Sequence, residues 1–181
     1  MTRSSAVMPK VTSSCPDLVT AAVRRAVRSG GSWQQTTDRV VAALRDRLPG
    51  PGLLPAEKLA GDPSGYQAHL VHAEPDGSFS IVVMVWRPGQ QTTIHDHLTW
   101  CCTAVLSGTE YEELYALRGD HLEVVGRNAN PVGTVSGFAP PGDIHRVTNI
   151  GESVAVSMHV YGTDISRVGS SVRRVYDLPV R

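Results

Sequence analysis

The sequence predicts a small all-β barrel or sandwich preceded by two helices, and three observations carry that expectation. Before residue 49, apolar residues recur at helical spacing in two segments. The run PGPGLLP, residues 49–55, cannot continue a helix and marks a change of architecture. After it come nine short runs of β-formers, separated by the turn signals PDG, RPG, SG, RGD, PPGD and GE.

In order, residues 1–13 are small and polar without periodicity and are expected to be loose. Ser13 or Ser14 offers a helix cap, and Pro16 suits a first helical turn. Leu18, Val19, Ala22, Val23, Ala26 and Val27 then form an apolar stripe that Gly30 and Gly31 end. A second helix is expected over 37–48, with Val40, Val41, Leu44 and Leu48 on one side and Arg39, Arg45 and Arg47 on the other. Strands are expected at 66–72, 78–86, 92–97, 101–106, 110–117, 121–125, 133–138, 145–149 and 153–161, with the tail 169–181 adding a last strand or clasp. The chain thus divides into a loose start (1–13), a helical segment packing on the barrel (14–60) and the barrel (61–181).

With 181 residues, 41% of them apolar, the chain fits one domain with its own core. Seventeen Lys and Arg balance seventeen Asp and Glu, so the protein has no field for nucleic acid or anionic lipid, and neither partner is expected. Three cysteines, Cys15, Cys101 and Cys102, do not suggest a disulfide framework. The start lacks the apolar run of a signal peptide and no stretch reaches membrane-spanning length, so a cytoplasmic protein is expected.

Chemistry concentrates in GQQTTIHDHLTWCCTAVLSG, residues 89–108, where His95 and His97 stand two apart among β-formers and so share one strand face. His145 follows the turn PPGD and leads another strand. Any one such histidine is more often a hydrogen-bonded core or surface residue; three on neighbouring strands can hold a divalent metal. His72 and His121 receive no role.

The spacings carry a resemblance. Gly89, His95-x-His97, position 101 and Gly108 resemble the first cupin motif, with Cys101 where many cupins have a glutamate ligand; Pro140-x-Gly142-x-x-His145-x-x-x-Asn149 resembles the second, with its upstream glycine one place off at Gly133. Within the cupins, the chain from about Tyr66 to Tyr161 is similar to the cysteine dioxygenase family of thiol dioxygenases, including the 3-mercaptopropionate dioxygenase branch. FSIVVMVWRPGQ, HDH, GDIHRVTN and Ser157-x-His159-x-Tyr161 carry that similarity. The resemblance implies a single jelly-roll-like cupin barrel, Fe(II) on His95, His97 and His145, and oxidation of a small-molecule thiol by O2 to its sulfinate. It also implies that Ser157, His159 and Tyr161 form a row beside the metal.

Elementary chemistry agrees with the implied activity. Three neutral imidazoles leave an octahedral iron three open positions for a thiolate and dioxygen, whereas zinc has no redox chemistry to offer. In the family the position near Cys101 can carry a cysteine joined by a thioether to the tyrosine that Tyr161 matches. Counting from His97 with one more residue selects Cys102; counting back from Gly108, and strand parity, select Cys101, which is preferred. Two buried small side chains are the plain alternative for both. The family's substrate-binding arginine is expected to fall at His69, which leaves Arg167 or Arg173 to anchor a carboxylate. A cupin oxygenase acting on a non-thiol, or a non-catalytic ligand-binding cupin, are the competing readings.

Overall fold

Two helices open the described chain, residues 15–181 of a computed structural model; the start expected to be loose and the cap at Ser13 or Ser14 lie outside the described residues. The first, α1 (Cys15–Arg28), matches its apolar stripe. The second, α2 (Trp33–Asp46), begins four residues before the expected position. A capping box explains the early start: the Gln35 amide donates to Ser32 Oγ at 3.2 Å and the Ser32 amide to Gln35 Oε1 at 3.0 Å, a Ser-x-x-Gln signal present in the sequence.

Ten strands follow: β1 (Gln67–Ala73), β2 (Ser80–Trp86), β3 (His95–His97), β4 (Cys101–Ser107), β5 (Thr109–Arg118), β6 (His121–Pro131), β7 (Val135–Phe138), β8 (His145–Thr148), β9 (Ala155–Tyr161) and β10 (Val172–Val175). A short helix, α3 (Ile165–Val168), which has no counterpart among the expected elements, is capped by Asp164 and precedes β10. The strands form two five-stranded sheets, ordered β1-β2-β9-β4-β7 and β10-β3-β8-β5-β6, in which neighbouring strands run antiparallel. This is the expected cupin β-barrel with two N-terminal helices, and the tail supplies its last strand.

The central strands of the first sheet are buried on both faces, so β2 reads as a nearly continuous apolar run rather than an alternating one. One face of it carries Val83, Val85, Cys102, Ala104, Val156, Met158 and Val160 into a core shared with Val19, Val23, Val40 and Leu44 of the helices. At roughly 1.5 to 3 kcal/mol for each fully buried aliphatic side chain, this layer is a main source of stability. The opposite face carries Val82, Cys101 and Tyr161 in a separate cluster, with Met84 and Phe138 packed on it. That period-two division leaves polar side chains on the inner face free to form a site.

Two glycines shape the connection to the second sheet. Gly108 turns β4 into β5 at φ +73°, where a Cβ would lie 2.9 Å from the Ala155 Cα. Gly126 does not stop β6 at residue 125 as the spacing suggested; the pairing shifts register there, from Leu114 opposite Gly126 to Tyr115 opposite Val124, and continues to Pro131. Glycine inside a strand here marks a bulge, not an end.

Candidate metal centre

Period two along β3 sends His95 and His97 to one face and Asp96 to the other. His145 enters from β8 as the register partner of His95. One ligand atom from each of the three buried histidines lies within 4.8 Å of the others. Each ring is held through Nδ1: His95 by the Thr93 carbonyl at 2.9 Å, His97 by the Asp143 carboxylate at 3.0 Å, and His145 by the Glu112 carboxylate at 2.7 Å. These acceptors take the Nδ1 proton, which leaves every Nε2 a free lone pair.

The electrostatics favour the neutral form of His95 and His97. Burial, reinforced by the two neighbouring histidines, lowers His95 to about 4. Burial also lowers His97, against the opposing pull of Asp143. Asp143 stays ionised because its bonds from His97 and the backbone outweigh the burial that would raise it. Three imidazole nitrogens, each ring oriented by a carbonyl or carboxylate behind it, fit a divalent transition metal. Asp96, facing away, instead accepts hydrogen bonds from Arg173 and from the Tyr176 hydroxyl, the latter at 2.9 Å, and so ties β10 to β3.

Across the barrel, β9 presents Ser157, His159 and Tyr161 on its inner face, all buried. Ser157 Oγ lies 2.9 Å from His159 Nε2, and His159 Nδ1 lies 3.3 Å from the Tyr161 hydroxyl. The Trp86 indole donates to Ser157 Oγ at 3.2 Å. Burial, then the three nearby histidines, depresses His159 to about 3, so it is neutral. Burial and the adjoining Cys101 hold Tyr161 well above its usual range, and it keeps its proton.

The two cysteines separate cleanly. Cys101 is the register partner of Tyr161 and packs with it on the inner face. Cys102 faces the helices, its Sγ 3.7 Å from the Thr37 carbonyl. Strand parity and the count from Gly108 therefore identify the cysteine beside the tyrosine.

Two carboxylates were missed in the sequence. Glu110 and Glu112 stand two apart in β5 and point into the barrel, Glu112 to His145 and Glu110 to Ser157 and Trp86. The available signal was two acidic residues at strand spacing immediately after the motif glycine.

A cavity of about 140 Å³ opens beside His95 and Tyr161, lined by Tyr66, Ala68, Val82, Met84, Thr92 and Ser171 among others. The expected carboxylate anchors lie elsewhere. His69 is the register partner of Val83, on the helix-facing side of the sheet, whereas Ala68, partner of Met84, faces the cavity: the expectation was off by one residue, and one residue inverts the face. Arg167 pairs with Asp164 at 2.9 Å and is exposed; Arg173 is held by Asp96. Neither lines the cavity, because α3 and the β10 pairing turn both outward to carboxylates of their own.

A family model described as cysteine dioxygenase type I matches residues 58–173. Among solved structures, the chain is similar to a Thermus thermophilus protein at 20% identity, with 61% of this chain and 95% of that one covered and a TM-score of 0.45. It is similar to a recombinant oxalate oxidase in complex with glycolate at 17% identity, 65% and 63% covered, TM-score 0.46. The Schizosaccharomyces pombe Cnp3 cupin domain matches at 13% identity, 57% and 65% covered, TM-score 0.44.

Proposed function

Because this chain belongs to the cysteine dioxygenase type I family, matched over more than half its length, we propose that it is an Fe(II)-dependent dioxygenase that oxidises a small thiol to its sulfinate. The observation that carries this reading is the juxtaposition of three buried, clustered imidazoles with the Ser157, His159 and Tyr161 row. Iron held by His95, His97 and His145 would supply a soft Lewis acid for the thiolate and a redox partner for dioxygen. The balance is simple: RSH and O2 give RSO2H, with no further reductant.

The protein's own groups prepare the reaction. Val82, Met84 and Phe138 give the site apolar walls that limit water. Tyr161, protonated and beside neutral His159, places its hydroxyl at the cavity and cannot act as a base near neutral pH. Among the described residues, no Lys or Arg lines the cavity, whose polar groups include the hydroxyls of Tyr66, Thr92 and Ser171. Those groups suit an uncharged thiol. A reducing, cytoplasmic setting suits Cys101 and Cys102, both free thiols, and no helix among the described residues is long and apolar enough to cross a membrane.

The direct test is an oxygen electrode with iron-loaded protein and 2-mercaptoethanol. Uptake should match the sulfinate formed, one O2 for each; absence of thiol-dependent uptake with any thiol would remove the proposal. A second expectation concerns Cys101. After extended turnover, a fraction of the protein should be lighter by two hydrogens through a thioether from Cys101 Sγ to the Tyr161 ring, with O2 as oxidant. Peptide mapping that places the link at Cys102, or finds none, would show that the register pairing of Cys101 and Tyr161 is not enough.

A further inference from the structure

Glu110 is a carboxyl with no part in holding the metal ligands, yet it is sealed inside the barrel at 4% exposure. Its Oε1 is buried without a hydrogen-bond partner, and Ser157 and the Trp86 indole are the neighbouring donors whose pull favours its ionised form. Ser157 contacts His159, and His159 contacts Tyr161. A hydrogen-bonded line of exchangeable groups, Ser157, His159 and Tyr161, therefore leads from beside Glu110 to the cavity.

If Glu110 is to be partnered by Ser157 in both of its charge states, the donor and acceptor rules give this line one arrangement for each state. The indole of Trp86 can only donate, so it occupies one lone pair of Ser157 Oγ in both. With Glu110 protonated, its hydroxyl donates to Ser157, Ser157 donates to His159 Nε2, and the proton on His159 Nδ1 donates to the Tyr161 oxygen. The phenolic hydrogen is then free to point at the cavity. With Glu110 ionised, Ser157 donates to the carboxylate, His159 carries its proton on Nε2, and Tyr161 donates back to His159 Nδ1. One proton has left to solvent, and His159 is neutral in both states.

We propose that Glu110 is a proton switch for this site, its protonation state setting the direction of the Ser157–His159 relay and thereby whether the Tyr161 hydroxyl donates into the cavity or away from it. The role of that hydroxyl in oxygenation rests on the thiol dioxygenase reading; the switch itself does not. The setting supports a working range near neutrality: burial, aided by the like charge of Glu112 on the same strand, raises Glu110 to about 7 against the hydrogen bonds of Ser157 and Trp86. From β9, Tyr161 senses Glu110 in turn, and His159 is the other titratable group along the line. Glu110 is a positioning residue, acting on the cavity only through its neighbours.

The switch can be read without turnover. In the full chain loaded with zinc, which is diamagnetic and takes the same ligands, nitrogen-15 spectra of His159 should show its proton on Nδ1 at pH 5.5 and on Nε2 at pH 8.5, with a midpoint near that of Glu110. Glu110→Gln, whose amide donates at every pH, should hold the proton on Nδ1 throughout. A wild-type tautomer that does not change across this range overturns the proposal whether or not the variant folds. In the iron-loaded enzyme, activity should fall about tenfold for each pH unit above the midpoint in wild type, and this alkaline limb should be lost in Glu110→Gln. A tautomer switch in a protein that oxidises no thiol would retain the switch and reject the dioxygenase reading; an unchanged alkaline limb in Glu110→Gln would reject the switch as a control of activity.

Discussion

His145→Ala should leave the purified protein with little bound iron, and His95→Ala and His97→Ala should behave alike. Each of the three would supply one nitrogen to a candidate site that groups no fourth ligand with them among the described residues, so each deletion would remove a third of the donor set. Outer groups of the kind that Glu112 and Asp143 provide typically contribute about 10- to 100-fold in metal affinity, and removal of a ligand itself should cost more. Glu112→Gln should therefore weaken binding within that range, because the amide cannot replace the charged acceptor that fixes the His145 ring at 2.7 Å. Asp96→Asn is the control. It should retain the metal while loosening β10, since the Asp96 carboxylate serves Arg173 and Tyr176 rather than the site. Metal analysis after gel filtration, with competition against a chelator, checks the series. Full iron in His145→Ala, or metal loss in Asp96→Asn as complete as in the histidine variants, would contradict the assignment.

Matched thiols should be ranked by charge, 3-mercaptopropan-1-ol ahead of 3-mercaptopropionate and cysteamine ahead of free cysteine, by about tenfold or more in kcat/KM. The reason is the lining of the cavity: a carboxylate brought beside Ala68, Val82 and Met84 loses water and meets no guanidinium. A hydrogen bond to a charged group contributes roughly 1.5 to 3 kcal/mol, so the lack of one costs at least about tenfold in affinity. Ala68→Arg should reverse the order, because position 68 faces the cavity through its pairing with Met84. His69→Arg should leave the order unchanged, since that side chain faces the other side of the sheet. Anaerobic calorimetry with each thiol separates binding from turnover. A wild type that prefers the carboxylate thiols, or an Ala68→Arg variant that gains nothing with them, would refute this account of the pocket.

How much of this site the linear chain announces depends on the range of the interactions involved. The histidine pair of β3, the Ser157, His159 and Tyr161 row, and the inward turn of Cys101 are legible because strand geometry alternates faces every residue, a rule that operates between near neighbours. The break at residues 49–55 and the motif glycines are legible for the same reason: they restrict their own backbone. Even the start of α2 was written locally, in Ser32 and Gln35. What lies opposite each of these residues is decided by register and by the packing of one sheet on the other. Nothing near Glu112 or Glu110 in the chain names His145 or Ser157 as its partner; strands 33 and 47 residues away bring them there. The substrate side shows the same limit. A register that pairs Ala68 with Met84 gives the cavity a methyl group instead of an imidazole, and the pairing of β10 with β3 delivers Arg173 to Asp96 instead of to the pocket. Sequence by itself determined the barrel, the shared face of His95 and His97 and the inward row, because each is a local periodicity. The carboxylates behind the histidines, the relay to Glu110 and the uncharged cavity were decided by tertiary structure alone, because each is a contact between strands whose alignment is the outcome of burying the whole sheet at once.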